Sequence, residues 1–216
     1  MKGDKLIIKD EHRRAALGIM DLLWPELETH RGKYILTIAG ESGSGKSEIA
    51  AVLAEMLAER GIETLIIQQD DYFIYPPQTN LRMRLKDIGW VGESEVRLEL
   101  LDQNLGEILA GKDEIEKPLA MFDEDCITTE RIKVSGVGVI IVEGTYTTLL
   151  RNAQSRVFID RDYHHTRSAR LERDREAQDA FLEQVLQIEH QIISRHKSAA
   201  GIIVGWDYSV SRSKEK

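Results

Sequence analysis

From the N-terminus, apolar residues first recur at helical intervals: Ala15, Ala16, Ile19, Met20, Leu22 and Leu23. This spacing predicts a leading helix over residues 10–30. The run KYILTIA at 33–39 is short, apolar and β-rich, so it predicts a buried strand. A glycine-rich turn follows at 40–45. Helical spacing then returns over 47–60 through Ile49, Val52, Leu53, Met56 and Leu57, and Gly61 is a suitable stop. Residues 64–69 predict a second strand. Residues 70–91 contain Pro76, Pro77 and Gly89 and predict an irregular excursion. Residues 94–110 predict a helix, and 115–122 with 127–134 a small hairpin. VGVIIV at 137–142 predicts a strand covered on both faces. A short strand at 156–159, a broken helix over 164–197 and a last strand at 201–204 complete the pattern.

Strands alternating with helices imply an α/β chain with a mostly parallel central sheet flanked by helices. No internal repeat, low-complexity tract or second domain boundary interrupts it, so residues 1–216 are expected to form one domain.

The chemistry concentrates at residues 40–47. Gly40, Glu41, Ser42, Gly43, Ser44, Gly45, Lys46 and Ser47 spell GESGSGKS, a complete GxxxxGK[ST] pattern between a predicted strand and a predicted helix. Glycines let the backbone curl its N–H groups toward phosphate oxygens, and the following helix adds its positive end. In such a loop the lysine, here Lys46, reaches the β and γ phosphates, and the hydroxyl, here Ser47, ligates Mg²⁺.

Other segments narrow the class. The second strand leads into QQDDYF at 68–73, the third into VIIVEGTY at 139–146, and an arginine-rich stretch reads TRSARLERDRE at 166–176. In order and spacing these resemble the uridine kinase and phosphoribulokinase family of P-loop kinases. The resemblance covers roughly residues 33–205. It implies the three-layer P-loop NTPase fold, ATP and Mg²⁺ as cofactors, and a small-molecule phosphoryl acceptor such as a nucleoside or sugar phosphate. It casts Asp70 as the acid that orients and deprotonates the acceptor hydroxyl. It casts Glu143 as the acid near Mg²⁺, with Gly144 letting the chain pass closely beneath the ligand. Arg167 and Arg170, with Arg173 at the same spacing of three, become lid residues in a segment spanning 161–177. Residues 70–135 become the acceptor-binding insertion. Asp71 stands where the family has a small or hydroxyl residue, and reads as a bystander or a second ligand on the Mg²⁺ side.

The sequence also departs from that family. In KPLAMFDED at 117–125, Ala120 replaces the tyrosine that reads a pyrimidine, and Asp125 falls near the histidine position. The base-reading groups are therefore missing or supplied from elsewhere. LKDIGWVGESE at 85–95 replaces another family stretch, with Asp87 as a candidate hydroxyl-binding residue. If NLRMRLK at 80–86 is extended, alternation puts Arg82, Arg84 and Lys86 on one side. Arg84 could then grip an anionic acceptor; an exposed amphipathic loop is the competing reading. Trp90 could stack on a ring or pack beneath the loop.

Composition sets the outer limits. Hydrophobic residues are 42% and charged residues 31%, enough for a buried core. The net charge of −8 argues against nucleic acid as the main partner. No apolar run approaches the roughly 20 residues of a membrane span, and the N-terminal stretch lacks signal-peptide features. The single cysteine, Cys126, excludes an internal disulfide. A cytoplasmic location is therefore expected; a homo-oligomer is left open. The competing functional readings are a regulatory nucleotide switch and a catalytically silent P-loop binding protein. The switch reading lacks its guanine-reading NKxD.

Overall fold

A computed structural model describes residues 6–173 and 179–213 of the chain. The leading helix α1 (Asp10–Thr29) forms as the spacing predicts and runs on through Pro25. Strand β1 (Tyr34–Gly40) feeds the glycine-rich turn and α2 (Lys46–Ala58). Strand β2 (Thr64–Gln68) ends in a short 3₁₀ turn, Gln69–Tyr72.

The next segment differs from the irregular excursion expected for 70–91. Pro77–Lys86 is a helix, α3. Pro77 is its first residue, where a missing N–H costs nothing and a fixed φ favours the helix. Asp125 receives the backbone N–H groups of Gln78 and Thr79 at 2.8 and 3.1 Å, capping its start from 46 or more residues away. Helix α4 (Leu98–Leu109) leads to the antiparallel hairpin β3 (Glu114–Met121) and β4 (Cys126–Lys133). Strands β5 (Val139–Gly144) and β6 (Ser155–Ile159) follow. The broken helix resolves into α5 (Arg167–Arg173), α6 (Ala180–Ile193) and a 3₁₀ turn, Ser194–Ala199. Strand β7 (Ile202–Val204) is paired by β8 (Val210–Arg212), which the sequence pattern did not reveal.

The main sheet has the order β2-β5-β1-β6-β7-β8. All pairings are parallel except the last. Its strands alternate between two cores. Leu36 and Ile38 of β1 join Ile141 of β5 beneath α1 and α2, against Ile19, Met20, Leu53 and Leu57. Ile35 and Ala39 join Ile140 and Val142 on the opposite face, against Leu101, Leu105 and Ile108 of α4. A strand buried on both sides needs apolar residues at every position, hence the unbroken run of β5. Each such Leu or Ile contributes about 1.5–3 kcal/mol by leaving water. No helix among the described residues is long and apolar enough to cross a membrane.

Gly144, the last residue of β5, is closely packed against the turn after β2. A Cβ at this position would collide with the Cβ of Gln69, whose side chain crosses it. Gln69 Oε1 then accepts the N–H of Tyr146 at 2.7 Å, tying the end of β5 to the turn after β2. Gly144→Ala should therefore cost about 1–3 kcal/mol by overpacking. Urea denaturation checks this; a loss within 0.5 kcal/mol, roughly the noise of a neutral surface change, would remove the account.

Candidate active site

The register of the parallel sheet brings three strand ends to one level. Gln68 of β2 lies opposite Glu143 of β5, and Glu143 lies opposite Ile38 of β1. The chain beyond each end is thereby delivered to one crevice: Asp70 from β2, Glu143 itself, and the glycine loop from β1. This is the edge of an open α/β sheet where ligands bind.

The loop is built to curl. Gly43 and Gly45 have φ of 76° and 98°, a region that L side chains rarely adopt. A Cβ on Gly43 would also press on Arg170 and Thr166, and one on Gly45 on His12 and Tyr208. The loop is thus packed on both flanks. Helix α2 starts at Lys46, so its first-turn amides have no partner within the helix. Lys46 Nζ donates to the Glu41 carbonyl at 3.0 Å, and Ser44 Oγ is fully buried with no partner among the described residues. Tyr208 donates to the Ser44 carbonyl at 3.3 Å and sits 3.1 Å from His12 Nε2.

Ser47 Oγ donates to Glu143 Oε1 at 3.1 Å. Burial pushes the Glu143 carboxyl above the usual carboxylate range; Lys46 pulls it down, and Asp70 pushes it up. Those two influences place Lys46, Glu143 and Asp70 in one electrostatic neighbourhood. Asp70 is half-buried in the turn after β2. The donor set suits ATP with Mg²⁺: free helix-start amides and an ammonium for phosphate, and a hydroxyl beside a carboxylate for a hard cation.

Arg170 is 8% exposed and lies over Gly43, its Nη1 donating to the Tyr163 carbonyl at 2.9 Å and to Thr166 Oγ1. Arg167 is exposed one turn earlier on α5. Residues 174–177 of the expected lid lie outside the described residues. Lys9 Nζ pairs with Glu172 Oε2 at 2.6 Å, tying α5 to the segment before α1.

Two expected site residues, Arg84 and Asp87, are engaged with partners of their own. Arg84 is not on an extended run. It lies on α3 with Nε 2.5 Å from Glu95 Oε1, and Nη2 2.8 Å from Glu95 Oε2 and 3.0 Å from Glu189 Oε1 on α6. Helical geometry turns Arg84 inward and leaves Arg82, Lys86, Leu81 and Leu85 exposed, so the three cations do not share one side. Asp87 is exposed and accepts the Gly89 N–H at 2.9 Å, capping a 3₁₀ turn. Trp90 packs at 5.6 Å from Tyr75, its Nε1 donating to Asn80.

Asp71 is buried and held by the hairpin. It is 3% exposed and pairs with Lys117 at 2.7 Å. It also accepts the Ala120 N–H at 3.2 Å. Lys117, 5% exposed, has Glu130 at 2.8 Å as a second partner. This pair docks the β3–β4 hairpin onto the turn that carries Asp70. Glu41 was likewise not singled out. Its buried carboxylate lies 2.6 Å from His190 Nδ1, so α6 touches the glycine loop through His190 and α3 through Glu189. The only signals for Lys117 and Glu41 were charged residues at positions that the motif patterns leave variable.

A phosphate loop on β1, carboxylates past β2 and β5, and an arginine helix over the loop define a P-loop small-molecule kinase. A model of the Phosphoribulokinase / Uridine kinase family matches residues 35–204, and the chain belongs to that family. It is 30% identical over 182 residues to a uridine kinase of Lactobacillus helveticus, covering 79% of this chain and 85% of that protein. It is 29% identical over 192 residues to a bifunctional alpha-galactosidase/sucrose kinase of Mediterraneibacter gnavus. That match covers 82% of this chain and only 20% of the larger protein. The solved phosphoribulokinase of Rhodobacter spheroides superposes with a TM-score of 0.63 at 11% identity, over 80% of this chain and 70% of that one. This last likeness shows the fold alone.

Removing one partner of a buried ion pair leaves the other charge uncompensated. Lys117→Met should therefore lower folding stability by about 3–5 kcal/mol, read by chemical denaturation. A loss under about 1 kcal/mol, the range of an exposed pair, would mean that the pair does not hold the hairpin.

Proposed function

We propose that the chain transfers the γ-phosphoryl group of ATP to a hydroxyl of a small sugar-like metabolite, with Asp70 as general base. The observation that carries this reading is the convergence of Lys46, Ser47, Glu143 and Asp70 at one strand-end crevice. Lys46 and the first-turn amides of α2 hold the phosphates. Ser47 and Glu143 would hold Mg²⁺, which would neutralise phosphate charge when bound. Asp70 accepts the proton of the acceptor hydroxyl as its oxygen attacks phosphorus. Gly40, Ser42, Gly43, Ser44 and Gly45 form the backbone cradle. Arg170 above Gly43, with Arg167 on the same helix, stabilises charge on the transferring group.

Residues 70–135 receive the acceptor in this reading. A sugar or polyol is favoured over a pyrimidine nucleoside. Ala120 offers no ring, and its N–H is spent on Asp71. Asp125 is spent on the start of α3. The M. gnavus relative, named as a bifunctional alpha-galactosidase/sucrose kinase, supports the same choice.

Lys46→Ala should abolish transfer. Asp70→Asn should keep ATP binding while kcat falls by about 10²-fold or more, the usual contribution of a general base. Coupled ADP-release kinetics over sugars, polyols and nucleosides measures both. Turnover near normal in Asp70→Asn would reject Asp70 as the base.

A further inference from the structure

We infer that the acceptor is an uncharged polyhydroxy compound and that phosphate- or carboxylate-bearing acceptors are disfavoured; this rests on the kinase reading above. The inference comes from how the insertion spends its buried cations.

Lys117 and Arg84 are the two insertion cations that are drawn inside. Each meets two carboxylates. Lys117 Nζ lies 2.7 Å from Asp71 and 2.8 Å from Glu130, and its third proton goes to the Pro118 carbonyl at 2.9 Å. An ammonium has three donors, so none remains for a ligand. Arg84 engages both oxygens of Glu95 and then Glu189. Glu95 is held in turn by Asn80 Nδ2 and the Gly92 N–H, both at 3.0 Å. Each of the two cations is thus shared between two carboxylates.

Both clusters adjoin the reaction centre. Asp71 is the neighbour of Asp70 in the chain. Arg84, Glu95 and Glu189 all act electrostatically on Tyr146, whose N–H is held by Gln69, the other neighbour of Asp70. Asp70 and Glu143 add two more carboxylates. The remaining cations of α3 and the hairpin turn outward: Arg82 and Arg131 are 67% and 76% exposed and pair with Asp125 and Glu116.

The buried hydrogen-bonding capacity left over in the turns after β2 and β5 is neutral. Gln69 Nε2, Tyr146 Oη and Thr148 Oγ1 are buried without a partner among the described residues. An anionic group entering here would meet like charge with no free buried cation of the insertion to receive it. Hydroxyl groups meet neutral donors and acceptors, and carboxylates accept from them readily.

The test is calorimetric titration of the whole chain, saturated with Mg²⁺ and the non-transferring analogue AMP-PNP, using matched pairs. The pairs are D-fructose with D-fructose 6-phosphate, D-ribulose with D-ribulose 5-phosphate, and glycerol with D-glycerate. The neutral member should bind at least about tenfold more tightly in each pair that binds, and Glu189→Gln or Glu130→Gln should narrow that gap at least threefold. Equal or tighter binding of the anionic members overturns the inference. An unchanged gap in both folded variants overturns the two clusters as its source. Absence of binding by every compound, with AMP-PNP bound normally, overturns the inference of a polyhydroxy acceptor and leaves the kinase reading to the ADP-release assay.

Discussion

The parallel register of β2, β5 and β1 is the constraint on which the site depends. It sets Gln68, Glu143 and Ile38 side by side, so the segments beyond them start from a common edge. Because side chains alternate along a strand, a one-residue slip of β5 would turn Glu143 to the other face and drag Val142 out of its core. The apolar positions of both cores oppose that slip, since every residue of β5 is buried. Packing far from the chemistry thus fixes where the Ser47–Glu143 hydrogen bond forms.

The insertion follows a different physical rule. Its helix α3 presents Leu81 and Leu85 to solvent and draws Asn80 and Arg84 inward. Hydrophobic burial alone would favour the opposite face. The inward face is instead set by a connected polar network of Asn80, Arg84, Trp90, Glu95 and Glu189. A buried network of this kind holds one geometry because any displaced member leaves an unpaired polar group.

These two rules explain what could be read in the sequence. The strands, α1, α2 and the glycine loop announce themselves through local periodicity and motif spacing. Lys46, Ser47, Asp70 and Glu143 were visible because each sits at a fixed offset from a strand end. Helix α3 is hidden in the sequence because Pro76 and Pro77 read as breakers, although a proline at a first helical position favours a start. The outward-facing leucines also hid its period. Strand β8 escaped because three residues with two polar members carry almost no pattern. Lys117 and Asp71 are 46 residues apart and Glu41 and His190 are 149 apart, so no local signal joins them. Each member looks like a surface charge until the chain is folded.

The two attachments around the crevice differ in their contact with water. Lys9 and Glu172, which tether the arginine helix, are 42% and 46% exposed, whereas Lys117 and Asp71 are each 5% exposed. Mobile ions screen exposed charges over about 8–10 Å near physiological ionic strength and reach a buried pair far less. Rising salt therefore loosens the tether of α5 while the hairpin stays docked beside Asp70. Ionic strength separates the two walls of the crevice, one yielding and one fixed.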